Sequence, residues 1–489
     1  MKTNRQYLIL FCILGLALYV RLSFLGLNRM HMDECLYSAY AMRMVDRGDI
    51  ALNGGLQVDK PPLFFYFIAL SFLITRTFSE SAARLPNIIF SIITIFYIFK
   101  IINTLYKNFT LAILTSFFTA FSVYNIAFSV TAFQDVSMTT FFILSLYMIL
   151  KEKYFLSAFF YAFSVGCKPM TLFLLPVYLL SIILFSGKGF YILKYQFKAL
   201  IYGMSCVFIP LMLWSGLLAN PRWGIFKFFI TQQPEVINIS GNYTERFLIW
   251  LDYSKNILNA PFFLYIAIGG LFVLVMVGIF KKKNNIKMDL FFLTGIFYFF
   301  IIITFVNFRQ FDRYLVPIVP FVALALARST DAIASVLRKD KIKIIFIAVI
   351  MFCFYLYVYN ARILCAGQGA FFGEANGFES VAKYLRLHQN KESRIIYLGH
   401  ALNNYGFFYL YGTKFESAIS VFNEKDVEKN SKSGKNYIVI YTRQIKAEDL
   451  ENLNKKYKKV FETGYEWTGI KDNFIYRYQV FEYSKDMLK

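Results

Sequence analysis

The chain has 489 residues, of which 57% are hydrophobic, 20% aromatic and only 17% charged, whereas soluble globular chains carry about 25% charged residues. That composition excludes a disordered, collagen-like or disulfide-stapled chain and an ordinary soluble enzyme, and it points to a membrane protein with many spans. The formal net charge of +22 is uneven: residues 1–365 hold 33 Lys/Arg against 15 Asp/Glu, and residues 366–489 hold 19 against 15. The basic excess therefore belongs to the membrane part, where the positive-inside rule accounts for it without any nucleic-acid partner.

A spanning helix needs about 20 apolar residues. In chain order, apolar runs cover 7–27, 62–78, 86–106, 109–130, 136–150, 154–167, 170–186, 199–219, 260–280, 288–306, 314–332 and 342–361. The first run follows Lys2 and Arg5 like a signal peptide. No small-x-small cleavage pattern follows it, so a retained helix is expected. Basic clusters then set the sides: Lys100/Lys107, Lys151/Lys153, Lys188/Lys194/Lys198, Lys281–Lys283 with Lys287, and Arg338/Lys339/Lys341/Lys343. With all of these and the N-terminus in the cytoplasm, every run from 86 onward alternates correctly. Run 62–78 then cannot cross; its Pro-Pro start and short length suit an interfacial or re-entrant helix. The expected topology is eleven crossings, N-terminus inside and C-terminus outside. The outer face collects the loop 28–85, the turn at Asp135, the loop 220–259, the turn 307–313 and the tail 366–489. In that tail, helical runs (378–389, 447–459) alternate with strand-like ones (394–399, 437–441, 474–481), which reads as a small soluble α/β domain after a membrane domain spanning 1–365.

Cysteines and histidines carry little. Cys12, Cys167, Cys206 and Cys353 lie in or beside apolar runs, and Cys35 and Cys365 stand apart. None has metal-ligand or CxxC spacing. His31, His388 and His400 are equally scattered. Sequons at Asn108, Asn238 and Asn242 are as frequent as chance allows. Richness in Phe, Ile, Lys and Asn suits an AT-rich bacterial genome.

The informative stretch follows the first helix: HMDECLYSAYAMRMVDRGDI, then DKPPL. Asp33 and Glu34 open a helix with an apolar stripe of Met32, Leu36, Tyr37, Tyr40, Ala41 and Met44, an interfacial amphipathic pattern. Acids in a first helical turn are also plain helix caps. From spacing alone both readings stand.

The ordered set Asp33, Glu34, Tyr37, Ala41, Gly48, Asp49, Lys60, Pro61, Pro62, Ala82, Ala83, Arg84 and Pro86 resembles the polyprenyl-phosphate-sugar-dependent glycosyltransferases of the GT-C fold. This superfamily includes aminoarabinose transferases acting on lipid A, lipopolysaccharide-core transferases and protein O-mannosyltransferases. The resemblance continues at Asp135, at Cys167-Lys168-Pro169, and at Arg313-Tyr314-Leu315 with Pro317 and Pro320. It covers about the first 330 residues and not the tail.

The resemblance implies an all-α polytopic fold with its site at the outer face. It implies a polyprenyl-phosphate sugar donor, a lipid or glycan acceptor or a Ser/Thr of an exported protein, and a place in a bacterial inner membrane. Inverting displacement needs a carboxylate to take the acceptor's proton. Asp33 is the candidate, with Glu34 positioning it or a cation, and Asp135 a further catalytic candidate. The leaving phosphate needs fixed cations; Lys60, Arg84, Lys168 and Arg313 are the candidates, with Tyr314 as a donor to a phosphate oxygen. Each cation alone is also read as snorkelling to the membrane surface. Some aminoarabinose-transferring relatives carry a metal-ligand His in the large outer loop. Here that loop, with Glu235 and Asn242, has none, so no metal ligands are assigned, and a divalent cation could only rest on Asp33, Glu34 or Asp135. A transporter or lipid flippase is the competing class. It would place ionisable residues inside the spans, whereas the acids here gather at outer ends.

Overall fold

The computed structural model describes residues 2–27, 29–50, 52, 60–186, 189–213, 242–281, 285–306, 310–365, 377–388, 393–398, 402–413, 419–421, 435–442, 445, 447–468 and 473–484. Glu235, Asn238, His400 and most of the loop 220–259 lie outside the described residues. The chain divides into two compact units. One holds Met1–Leu25, Met44–Thr77 and Ser81–Arg362, and the other Gly26–Arg43, Phe78–Glu80 and Ile363–Lys489.

The described elements of the first unit are helices. Its helices are α1 (Lys2–Phe24), α2 (Met32–Arg47, whose first part belongs to the other unit), α3 (Leu63–Thr75), α4 (Glu80–Tyr106), α5 (Phe109–Phe121), α6 (Val123–Ser129), α7 (Asp135–Leu150), α8 (Tyr154–Cys167), α9 (Leu175–Phe185) and α10 (Tyr191–Leu213). After the undescribed loop come α11 (Tyr243–Ser254), α12 (Pro261–Lys281), α13 (Ile286–Val306), α14 (Val319–Val336), α15 (Asp340–Leu356) and α16 (Val358–Ile363). Among the described residues, seven helices are long and apolar enough to cross a membrane, and α5 with α6 makes an eighth if that bent pair is one span. Shorter apolar helices are α3, α7, α8 and the stretch Pro169–Phe185. The 13 residues of α3 reach about 20 Å at 1.5 Å each, against an apolar layer of about 30 Å.

The run 109–130, read from the sequence as one span, is broken at Ser122, where the axis bends by 54°. Ser122 takes an extended conformation, and its hydroxyl accepts from the Asn125 amide at 3.2 Å, so it caps α6. A break inside an apolar layer strands backbone groups that water cannot reach. Side chains from elsewhere satisfy them here. The Arg21 guanidinium donates to the Ala120 carbonyl at 3.0 Å and Asn125 to that of Thr119 at 2.7 Å. Asn259 donates to the Phe121 carbonyl at 2.9 Å and accepts from the Val123 amide at 2.7 Å. Asn259 itself sits at φ 69°, the left-handed region that Asn tolerates better than most residues.

Pro86, inside α4, cannot donate to the Ala82 carbonyl. The Ser71 hydroxyl of α3 does so instead, at 2.6 Å. Helix α14 is well enclosed, with Val319–Ala327 all buried. At its far end Arg328 grips Asp289 of α13 through two bonds of 2.9 and 2.7 Å, and Tyr106 of α4 donates to the same carboxylate at 2.8 Å.

The second unit contains a five-stranded sheet: β1 (Arg394–Leu398), β2 (Ile419–Val421), β3 (Lys435–Tyr441), β4 (Lys458–Thr468) and β5 (Asn473–Ser484), in the order β2-β1-β3-β5-β4. β1 runs parallel to β2 and β3, with Ile396 opposite Ile438. β5 is antiparallel to β3 and β4. Alternation along the strands builds two apolar faces. Ile396, Leu398, Ile438, Ile440 and Phe481 meet Leu453 of α19 (Ala447–Lys456). Tyr397 and Tyr478 meet Phe378 of α17 (Phe378–His388), which also stacks on Tyr405 of α18 (Leu402–Tyr409). The strands and helices read from the tail's sequence are present. β2, β4 and α18 are additions, and β4 begins at Lys458, inside the run 447–459 read as helical.

Removing one partner of a buried ion pair costs about 3–5 kcal/mol, whereas replacing both by apolar side chains is often neutral or stabilising. Asp289→Ala should therefore lower the unfolding temperature of the purified protein clearly. The pair Asp289→Leu with Arg328→Met should recover most of the loss in the same scanning-fluorimetry experiment.

Candidate active site

Local chain chemistry places four of the predicted residues together. Lys168 ends α8: it precedes Pro169, so it adopts the extended conformation that a pre-proline residue favours (φ −150°, ψ 120°), while its amide still closes the helix on Ser164 at 3.0 Å. Pro169 opens a 3-10 turn, Pro169–Leu174. Asp135 is the first residue of α7, where a carboxylate meets the positive end of the helix. Arg313 and Tyr314 lie on a second 3-10 turn, Asp312–Ile318, which runs through Pro317 into α14.

The Lys168 ammonium forms an ion pair with the Asp135 carboxylate and lies 4.2 Å from the centre of the Tyr314 ring. The Arg313 guanidinium rests 4.2 Å over Phe133 and 4.8 Å over Phe311. Asp135 is 1% exposed and Arg313 7%. Burial pushes the Lys168 ammonium down to about 8. Asp135 opposes that shift, and the nearby charges of Arg313 and Lys60 reinforce it. Lys60, Lys168 and Arg313 thus form one electrostatic group of three cations, offset at its centre by one acid, Asp135. Such a group suits a ligand with more than one negative charge. Beside it, the Asp312 carboxylate accepts from the Arg313 amide at 2.8 Å.

Arg84 is placed differently. It is buried in α4 and donates to the Leu25 carbonyl at 3.1 Å, beyond the end of α1. That bond closes a helix end.

Asp33 and Glu34 belong to the second unit. Glu34 is fully buried, and its carboxylate accepts from the His31 amide at 3.0 Å. The His31 ring in turn accepts from the Asp33 amide at 3.1 Å. This is a capping box with histidine at the cap position, so Glu34 fulfils the capping alternative. The Asp33 side chain is 23% exposed, with its carboxylate 4.0 Å from the His31 ring nitrogen. Among the described residues no three His, Cys, Asp or Glu side chains gather as a metal ligand set.

The sequence reading passed over three residues here. Phe133 supplies the ring under Arg313. Arg246, buried on α11, stands one turn before Trp250, whose ring lies 6.5 Å from that of Tyr314. Asn87, three residues after Arg84, binds the turn that leads to Asp135. Only Asn87 had a sequence signal, its place beside the Ala82–Pro86 motif.

A phosphate monoester bound at this group should lose affinity as pH rises through about 8, because the Lys168 ammonium is charged below that value and neutral above it. Titrating a short-chain prenyl phosphate between pH 6.5 and 9.5 should show the loss. In Lys168→Arg, whose guanidinium stays protonated, the alkaline loss should flatten.

Residues 59–214 match the family described as dolichyl-phosphate-mannose-protein mannosyltransferase. The matched span contains Lys60, Arg84, Asp135 and Lys168 but not Asp33 or Arg313. No curated protein matches the chain significantly. Among solved structures, ArnT from Cupriavidus metallidurans bound to undecaprenyl phosphate is 12% identical, with a TM-score of 0.68 over 97% of each chain. The Archaeoglobus fulgidus oligosaccharyltransferase in complex with zinc and sulfate is 11% identical, with a TM-score of 0.61 over 95% of this chain and 72% of that one. The same archaeal enzyme, AglB, with an inhibitory peptide and a dolichol-phosphate, is 10% identical, with a TM-score of 0.55 over 96% and 74%. The chain thus shares its fold with these GT-C glycosyltransferases, and the stretch that carries Lys60, Asp135 and Lys168 matches the mannosyltransferase family.

Proposed function

We propose that this protein transfers a sugar from a polyprenyl-phosphate donor to an acceptor hydroxyl, with inversion, at the outer face of a bacterial inner membrane. The observation that carries this reading is the group of Lys60, Lys168 and Arg313 around Asp135, with Tyr314 beside it. The acceptor oxygen attacks the anomeric carbon as the bond from that carbon to the phosphate oxygen breaks. The electron pair leaves on the phosphate, whose negative charge grows. Fixed cations in surroundings poor in water stabilise that charge far more than they would at an open surface. The acceptor's proton goes to the Asp33 carboxylate, which is in part open to solution. Asp135 holds Lys168 rather than reacting, and Arg84 acts through helix packing. Undecaprenyl phosphate bound to ArnT and dolichol-phosphate bound to AglB support a polyprenyl-phosphate lipid as the donor carrier.

Lipid A, lipopolysaccharide core or another surface glycan is the favoured acceptor, because the first-loop motifs resemble the lipid-modifying transferases most closely. A protein acceptor is the second reading, favoured by the description of the family matching 59–214. Masses of lipid A, surface glycans and exported proteins from cells with and without this protein will separate the two. A sugar-sized loss confined to exported proteins would overturn the first.

Asp33→Asn keeps the shape and removes the proton acceptor. With a labelled undecaprenyl-phosphate sugar as donor, turnover should fall at least about 100-fold, with unchanged expression. Near wild-type transfer would leave Asp33 a helix-start residue only.

A further inference from the structure

Between α6 and α7 the chain runs through residues 130–134 without regular structure, yet all five are buried. The carbonyl of Gln134 is taken by the Met138 amide of α7 at 3.0 Å, but those of Thr131 and Phe133 lie before that helix, and an unpaired buried carbonyl is costly. Asn87, fully buried on α4, donates to two of them, Thr131 at 2.7 Å and Phe133 at 2.6 Å. A primary amide has two hydrogens on its nitrogen, and both are used. Serine would offer one donor and aspartate none.

The turn held in this way carries two contacts of the cation group. Phe133 supplies the ring 4.2 Å under the Arg313 guanidinium, and Asp135, two residues on, pairs with Lys168. We propose that Asn87 is a positioning residue for the donor-phosphate site: its amide fixes the 131–133 turn and thereby aims Phe133 at Arg313 and Asp135 at Lys168. The proposal rests on reading Lys168 and Arg313 as the phosphate-binding cations.

The charged and ring groups around Lys168 come from three places. Asp135 faces it from the start of α7, Arg313 and Tyr314 from the 3-10 turn, and Lys60 from the segment before α3. Asp135 is the one attractive charge in that set. If the turn relaxes and Asp135 withdraws, the remaining cations and burial favour the neutral amine. Lys168 then loses its proton at a lower pH than the value near 8 that it has with Asp135 in place.

The test is the affinity of the full-length protein in nanodiscs for undecaprenyl phosphate, measured from pH 6 to 9.5. Asn87→Leu and Asn87→Asp should weaken binding about 10–100-fold near pH 7.5, in line with the effect of a misplaced site of roughly 1 Å. They should also move the alkaline loss of affinity to lower pH by about one unit. Asn87→Ser, which keeps one donor, should fall between them and the wild type and guards against misfolding of the harsher variants. A wild-type alkaline limb in all three, with or without weaker binding, would make Asn87 a packing residue and overturn the proposal alone. Lys168→Met should bind weakly with no alkaline limb. Wild-type behaviour of that variant would retire the phosphate-site reading and the proposal with it.

Discussion

In an apolar layer, backbone N–H and C=O groups that leave a helix have no water to turn to. The stretch from Ser122 to Asp135 answers to that constraint throughout. It breaks a span, makes one short helix, turns and starts another, and side chains from elsewhere reach the backbone groups this strands. Arg21, Asn125 and Asn259 serve the carbonyls before the break, and Asn87 those of the turn. Because this backbone is irregular, it can present Phe133 and Asp135 in directions that no continuous span would allow.

The same constraint shapes the charges. An isolated ammonium as enclosed as Lys168 would readily give up its proton. Asp135 keeps it charged, and the Tyr314 ring face adds a cation–π contact. Arg313 rests on Phe133 and Phe311. Aromatic faces stabilise a cation without neutralising it, so the positive groups stay close together around Asp135. The arrangement is preorganised for an anion, and preorganised charge is what a departing phosphate needs, since nothing must be rearranged as its charge grows.

The adjacent acids of the first loop show how little adjacency implies about role. Glu34 points back to the amide of His31 and closes the start of α2, while Asp33, one residue earlier, keeps a carboxylate that solution can reach. Successive helical positions are turned about 100° from each other, so one faces the cap and the other does not. Arg84 and Lys60, both read as phosphate cations, differ in the same way: Arg84 donates to the Leu25 carbonyl beyond the end of α1, and Lys60 acts on the charge of Lys168.

Much was legible in the chain itself. Apolar runs and basic clusters establish a polytopic helical protein, because the length of a span and the cost of charge within it are properties of local composition. The order of motifs from Asp33 to Tyr314 pointed to the GT-C fold, and short strand-like runs marked β1, β3 and β5. What remained hidden depends on groups far apart in sequence. The break at Ser122 is invisible in an unbroken apolar run, since it is made tolerable by Asn259, more than 130 residues away. Asn87 and Phe133 are unremarkable residue types that gain a role only through the carbonyl and the guanidinium placed against them. Whether an acid caps a helix, pairs a lysine or faces solution is settled by its neighbours in space, and only the tertiary structure supplies those.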